Sequence, residues 1–330
     1  MILKRRGFWV KSLWFKEKII FLLRKGFKLS KESFFCSALS LEAEEEMFAT
    51  APRVDVWLLL EYKQAWGEKA FPSSKLPEAV KKRFSEYLDS IIPNSRLQLI
   101  KRHNNPEDTI RFYIGVSDEL KPKLFEFSLS NYEGVLSLNI PEIIAGRDSH
   151  FLRSEPLFLV CTHGTHDKCC GTFGVPVYME AVKQENGFLA WQCTHVGGHR
   201  FAANFLCLPH GIYYGRVRES SVGDLIRDYK NGHISIKNYR GRSCYSPDAQ
   251  AAEYFLRVNT SISEIPSFRL KEIKKTDKDN SIVEFISEMD GKIHLINIQR
   301  NPSALENYTS CKDKDKSPIA QYRLIEYRTL

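Results

Sequence analysis

The amino-terminal region lacks an apolar run long enough to cross a membrane. Within residues 1–32 the longest is Ile19-Ile20-Phe21-Leu22-Leu23, far short of the roughly 20 residues that a spanning helix needs. Lys16-Glu17-Lys18 interrupts the stretch and speaks against a secretory h-region. With eight cysteines in 330 residues, the chain also lacks the cysteine density of a secreted disulfide scaffold. It has no Cys-x-x-Cys pair of the zinc-ribbon kind. Together these absences suggest a reducing compartment and cysteines used for metal or redox chemistry. Net charge is missing from the body of the chain as well. Ten Lys/Arg and two acids in residues 1–32 account for the whole +8, and the other 298 residues carry 38 bases and 38 acids. A neutral body argues against a nucleic-acid-binding domain, which normally presents a basic face. No internal repeat stands out, and no segment is of low complexity.

What residues 1–32 do contain is basic clusters alternating with Phe8, Trp9, Trp14, Phe15, Phe21 and Phe27. This basic-aromatic extension is either a peripheral arm for an anionic membrane or a disordered extension. Its apolar positions do not gather on one helical face, because Lys16 falls among Trp9, Leu13 and Ile20. The expected location is cytoplasmic, with peripheral membrane contact through this arm as the variant reading.

Residues 33–150 read as an α/β domain. A short helix is expected to start at Ser40–Glu44 and a buried strand at 53–62, followed by a helix from Lys75-Leu76-Pro77 to about Leu88. Strands are expected at 96–101, 111–116 and 124–129. Cys36 reads as a small buried hydrophobe. Residues 151–260 read as strand 156–161, a cysteine loop, a helix near 175–183 and strand 188–193. After a histidine loop come strands 204–208 and 212–217, then helices near 220–229 and 247–256. Residues 261–330 read as a β-rich appendage, with Lys271–Asp279 as a charged linker or hairpin edge and Met289-Asp290-Gly291 as a hairpin turn.

The chemistry concentrates in residues 161–217, where 57 residues hold five of the eight cysteines and five of the nine histidines. Cys161 ends an apolar strand, and Cys169 and Cys170 follow at eight and nine residues. His195 and His199 are separated by Val-Gly-Gly, which disfavours helix and suggests a tight loop. Gly164 and Gly171 give the cysteine loop conformational freedom and small size. Adjacent Cys169 and Cys170 do not easily ligate in one compact site, and spacing alone does not choose between them. Two cysteines and two histidines suit tetrahedral zinc as well as an iron–sulfur cluster. Thiol redox chemistry at Cys169–Cys170 is a third reading, but it leaves the histidines unexplained.

The segments C161-T-H-G-x-x-D-x-C-C-G, W191-x-C-T-H195-V-G-G-H199-R-F-A-A-N and L208-P-H-G-I-Y-Y-G-R-V resemble the sucrase/ferredoxin-like family. F35-C-S-A-L-S, T50-A-P-R-V-x-V-W-L-L-L-E, A65-W-G, Y239-R-G-R-S-C and Q250-A-A-E extend the likeness over roughly 33–257. The resemblance implies an α/β chain with a thioredoxin-like ferredoxin domain, here 151–260. It also implies a [2Fe–2S] cluster held by Cys161, Cys170, His195 and His199. Family members with a single cysteine keep it directly before a glycine, which favours Cys170 over Cys169. Cys169, Gly197, Gly198 and Arg200 are then outer-shell or alternative-ligand candidates. The sucrase label implies a glycosidase, yet no pair of carboxylates stands out for that work.

Two neutral imidazoles in place of two thiolates make a cluster less negative and easier to reduce. Rieske centres with that ligand set lie at roughly −150 to +300 mV, against about −400 mV for plant-type ferredoxins. The non-ligating imidazole nitrogen keeps a proton, so the potential should fall as pH rises. The expected function is proton-coupled one-electron transfer to a redox protein partner, by an electron carrier rather than a stand-alone enzyme. The alternatives are a Cys₂His₂ zinc-stabilised interaction domain, and a redox enzyme using the cluster or a nearby thiol.

Overall fold

The computed structural model describes residues 34–102, 108–146, 150–184 and 189–330, so the basic-aromatic extension 1–32 lies outside the described residues. The chain divides into a unit ending at Phe35 and a unit from Cys36 to Leu330. The second unit is mixed α/β, with one large mixed sheet and a separate β-rich sheet near the carboxyl end. Among the described residues, no helix is long and apolar enough to cross a membrane.

The elements follow the apolar patterning closely. Helix α1 (Cys36–Glu42), strand β1 (Val56–Glu61), helix α2 (Glu78–Glu86), strands β2 (Ser95–Lys101), β3 (Ile110–Val116) and β4 (Lys123–Leu129) and helix α3 (Ile140–Ile144) form the first stretch. Next come β5 (Leu157–Cys161), α4 (Lys168–Gln184), β6 (Ala190–Cys193), β7 (Phe205–Leu208), β8 (Ile212–Tyr214), α5 (Val222–Lys230), β9 (Tyr239–Arg242) and α6 (Pro247–Thr260). Four strands close the chain: β10 (Phe268–Lys275), β11 (Asn280–Ser287), β12 (Ile293–Asn307) and β13 (Ser317–Thr329). The charged run expected as a linker or hairpin edge is mostly β10, an edge strand, where charge discourages pairing with another chain.

Two elements begin and end away from their expected places. The helix expected to start at Ser40 instead ends at Glu42, and Glu44 has a positive φ of 51°. The helix expected near 175 begins seven residues earlier, so the two adjacent cysteines lie in its first turn rather than in a loop. Asp167 is the reason. Its Oδ1 accepts the Cys169 N–H at 2.8 Å and caps the new helix end. Val175-Pro176 looks like a helix start in sequence, yet Pro176 lies inside α4.

Strand order in the large sheet is β4-β3-β1-β2-β6-β5-β7-β8-β9. In it the β-α-β-β-β run of β1 to β4 is repeated by β5 to β8. In each run the first two strands pair in parallel across a helix and the third pairs antiparallel to the first. The sequence shows no such repeat, because the two runs share connectivity rather than residues. The runs join edge to edge through β2 and β6, with Ile100 opposite Cys193 and Lys101 opposite Gln192.

Alternation along these strands buries both faces. Val56, Leu58 and Leu60 of β1 pack toward α2 and α3, while Phe158 and Val160 of β5 pack toward α4 and α5. On the opposite face, Trp57, Leu59, Leu159, Cys161, Trp191 and Tyr213 share one core that crosses the β2–β6 junction. A fourth core, with Ala252, Leu256, Val283, Phe285 and Ile296, joins α6 to the carboxyl-terminal sheet.

Helix α4 lies directly on the end of β5. A Cβ at Gly174 would overlap the Cys161 carbonyl oxygen, and one at Gly171 would sit 2.9 Å from the Gly164 Cα. The two glycines of the cysteine segment therefore serve by small size; neither Gly164 nor Gly171 has a positive φ. Gly174→Ala is expected to destabilise the protein by about 1–3 kcal/mol through overpacking against backbone that cannot yield. Gly223→Ala is the control, since its methyl meets only the Gln184 side chain and favours helix. Urea midpoints of the two variants check this.

Candidate metal centre

The end of β5, the first turn of α4 and the loop after β6 bring the candidate donors together. Cys161, Cys170 and His195 present ligand atoms all within 4.8 Å of one another, as do His166, His195 and His199. His195 belongs to both groups, with its Nδ1 3.7 Å from the Cys170 sulfur. The four expected ligands do not form one group at that spacing: His199 stands with the imidazoles and not with the two thiols. Cys169, one residue earlier on α4, belongs to a different group with Cys36, Asp167 and Cys311. Successive helical residues point about 100° apart, so the adjacent cysteines face separate places.

Electrostatics favour donors in the states that bind metals. A hydrogen bond from the Cys170 thiol, aided by His195, holds Cys161 well below the ordinary thiol range despite burial. That same bond, with burial, pushes Cys170 well above it. Metal binding favours the thiolate form of both. Burial lowers His199, partly opposed by the Asp167 carboxylate, and burial followed by the neighbouring His195 lowers His166. Lowered values keep these imidazoles neutral, the form that coordinates metal. His199 Nδ1 is buried without a hydrogen-bond partner, and an orphaned nitrogen beside other donors is what a missing ligand bond leaves behind. Thiolate, thiol and neutral imidazole donors thus fit a thiophilic metal or cluster.

The loops carrying these donors are held from outside the segment that supplies them. His163 is buried with both ring nitrogens engaged. Its Nε2 donates to the Gly67 carbonyl at 2.8 Å, and its Nδ1 accepts the His195 N–H at 3.2 Å. It positions the histidine loop and has no nitrogen left to ligate. Thr165 Oγ1 donates to the Trp66 carbonyl at 3.0 Å. The Ala65-Trp66-Gly67 turn therefore braces the cysteine segment. His166 stacks on His195 with ring centroids 4.2 Å apart, which leaves it beside the donors.

Arg240 is the main clamp. Buried to 1% exposure, it donates to the Thr50 carbonyl at 2.6 Å, Thr50 Oγ1 at 3.0 Å, the Gly197 carbonyl at 3.0 Å and Asn204 Oδ1 at 2.7 Å. Gly197 and Gly198 have φ of 96° and 71°, and a Cβ at Gly198 would overlap the Arg240 guanidinium. Asn204 Nδ2 returns a bond to the Gly198 carbonyl at 2.9 Å, and Arg96 Nη2 donates to the His195 carbonyl at 2.7 Å. Arg216, Arg240 and Arg242 do not form a surface patch. Arg240 and Arg242 are inside, and Arg216 Nη2 bonds Ser40 and the Glu45 carbonyl. Arg200 pairs with buried Glu45 at 2.6 Å and lies over Phe201.

The family model for sucrase/ferredoxin-like proteins matches residues 47–241, more than half of the chain, and the chain belongs to that family. Two relatives share the name "Altered inheritance of mitochondria protein 32". The one from Meyerozyma guilliermondii is 35% identical over 98 residues, covering 27% of this chain and 35% of that protein. The one from Candida glabrata is 26% identical over 143 residues, covering 39% and 44%. The chain thus spans less than half the length of either relative in these matches. No solved structure matches it.

Arg240→Met is expected to leave the Thr50, Gly197 and Asn204 oxygens buried without partners. The expected loss is on the order of 3 kcal/mol of stability, together with weakened metal retention at the histidine loop. Denaturant titration and metal analysis of the same preparation check both.

Proposed function

We propose that this chain is a one-electron carrier whose Cys161, Cys170, His195 and His199 hold a [2Fe–2S] cluster, in a thioredoxin-like ferredoxin unit spanning about 151–260. The observation that supports it best is the division of the donors. A single tetrahedral zinc ion, with Zn–S about 2.3 Å and Zn–N about 2.0–2.1 Å, needs all four ligand atoms within about 3.8 Å of one another. Here Cys161, Cys170 and His195 form one group and His199 joins it only through His195, so the four donors spread wider than one zinc ion allows, as two irons would need. When bound, such a cluster supplies reversible one-electron transfer at a potential raised by imidazole ligation.

The chain's own residues do the rest. Cys161 and Cys170 would bind the cluster as thiolates, releasing to solvent any proton they hold. His163 and Arg96 fix the His195 backbone from its N–H and its carbonyl. An imidazole that ligates through one nitrogen keeps an N–H on the other, and that proton leaves or returns with the electron. The electron donor and acceptor are proposed to be redox proteins. A reducing compartment, the cytoplasm in the first reading, suits eight cysteines without a disulfide. The relatives' name ties those proteins to the inheritance of mitochondria, and we extend that association to this chain as part of the proposal.

Protein purified anaerobically should be red-brown, with about two irons and matching acid-labile sulfide per chain. Cys170→Ser should abolish the colour and Cys169→Ser should leave it. His195→Cys and His199→Cys should keep the colour and move the potential down, toward the roughly −400 mV of all-cysteine ferredoxins. A colourless chain with one zinc on these four residues would sink the reading.

A further inference from the structure

Three cysteines from distant parts of the chain meet in a second place. The Cys169 sulfur lies 3.3 Å from that of Cys311 and 3.6 Å from that of Cys36, and the Cys311 and Cys36 sulfurs are 3.6 Å apart. Cys36 comes from α1, Cys169 from α4 and Cys311 from the loop between β12 and β13. A carboxylate oxygen of Asp167 lies within 4.8 Å of all three sulfurs. Cys36, Cys169 and Asp167 are buried, and Cys311 is partly covered.

We infer that Cys36, Cys169 and Cys311, with the Asp167 carboxylate as fourth donor, form a structural zinc site separate from the Cys161/Cys170/His195/His199 centre. Tetrahedral zinc with Zn–S near 2.3 Å sets its sulfurs about 3.8 Å apart. The observed triangle has to widen by only a few tenths of an ångström. A disulfide explains the triangle less well, because it joins two sulfurs and brings them to about 2.05 Å. Here three sulfurs stand at nearly equal distances.

The surroundings are those of a ligated thiolate. The Cys36 N–H donates to the Cys311 sulfur at 3.3 Å, and the Ser37 hydroxyl donates to the Cys169 sulfur at 3.2 Å. Asp167 is oriented by the N–H groups of Cys169 and Cys311 at 2.8 and 2.9 Å and by the Ser310 hydroxyl at 3.1 Å. On binding, the thiols release their protons to solvent and the ion links three segments. The carboxyl-terminal sheet thereby gains a task, which is to deliver Cys311 to the metal-binding helix. This inference does not rest on the cluster reading of the first site.

The test uses the full chain purified anaerobically without chelators. Native mass spectrometry is expected to find one zinc per chain beside whatever iron is present. The zinc X-ray absorption edge is expected to report three sulfurs at about 2.3 Å and one oxygen at about 2.0–2.2 Å. Cys36→Ser and Cys311→Ser should each weaken zinc binding beyond the roughly 10–100-fold that loss of an outer-shell partner costs, with the visible spectrum of the first site unchanged. The wild-type edge decides by itself, whatever the folding of those variants. Zinc bound by two sulfurs and two nitrogens would place it in the first site and overturn the inference. A zinc-free chain overturns it too, whether its three thiols are free or two are oxidised to a disulfide. A colourless chain with the three-sulfur signature would support this site while sinking the cluster reading.

Discussion

The direct seating of α4 on the end of β5 governs the geometry of both donor groups. Gly174 against the Cys161 carbonyl and Gly171 against Gly164 let helix and strand meet without a side chain between them. Each glycine costs a helix about 0.5–1 kcal/mol relative to alanine. That cost is accepted because it brings the first turn of α4 to the strand end. From there Cys170 reaches Cys161 and His195, while Cys169 reaches Cys36 and Cys311. A helix held one side chain further out would carry both cysteines away from their groups. Asp167 completes the arrangement by capping the helix with Oδ1 and holding the Cys311 backbone with Oδ2, which is 3.9 Å from His199 Nε2.

The residues around this contact explain why the family likeness extends far beyond the donors. Thr50 matters because its carbonyl and hydroxyl receive Arg240, and Arg240 reaches on to Gly197. Gln250 matters because its side chain bonds Ala51 at both the N–H and the carbonyl. Ala65-Trp66-Gly67 holds the cysteine segment through carbonyls. None of these side chains can ligate a metal. They satisfy buried backbone groups of irregular loops, which would otherwise be left without partners.

Most strands were legible because both-face burial writes near-continuous apolar runs; RVDVWLLLEY and PLFLVC landed within a few residues of β1 and β5. The start of α4 was misread because its glycines argue against helix locally, and the compensating contact is tertiary. In sequence Cys36 reads as an ordinary buried residue, and nothing local marks Cys311 as a donor. The spacing that would pair them spans 275 residues, and no local pattern records it. The positioning role of His163 shows only in its two hydrogen bonds across to Gly67 and His195, which no local pattern records. The buried places of Arg240 and Arg242 are not legible in the sequence either: arginine is normally exposed, and their burial is a property of the fold. The repeated β-α-β-β-β connectivity was invisible because topology does not require shared residues.

The two donor groups therefore differ in what must form before they exist. Cys161 and His199 lie within 39 residues of each other, and β5, α4 and β6 are contiguous in sequence. Their group assembles from one β-α-β unit, with Ala65-Trp66-Gly67 and Arg240 as later supports. The Cys36–Cys169–Cys311 group draws on α1, α4 and the β12–β13 loop, so it closes only after the large sheet and the carboxyl-terminal sheet are both in place. Loop-closure entropy rises only logarithmically with length, so the long separation is not itself prohibitive. What it changes is order: the first group is local and the second is a property of the whole described fold. Asp167 touches both: it accepts the Cys311 N–H and lies 3.9 Å from His199 Nε2.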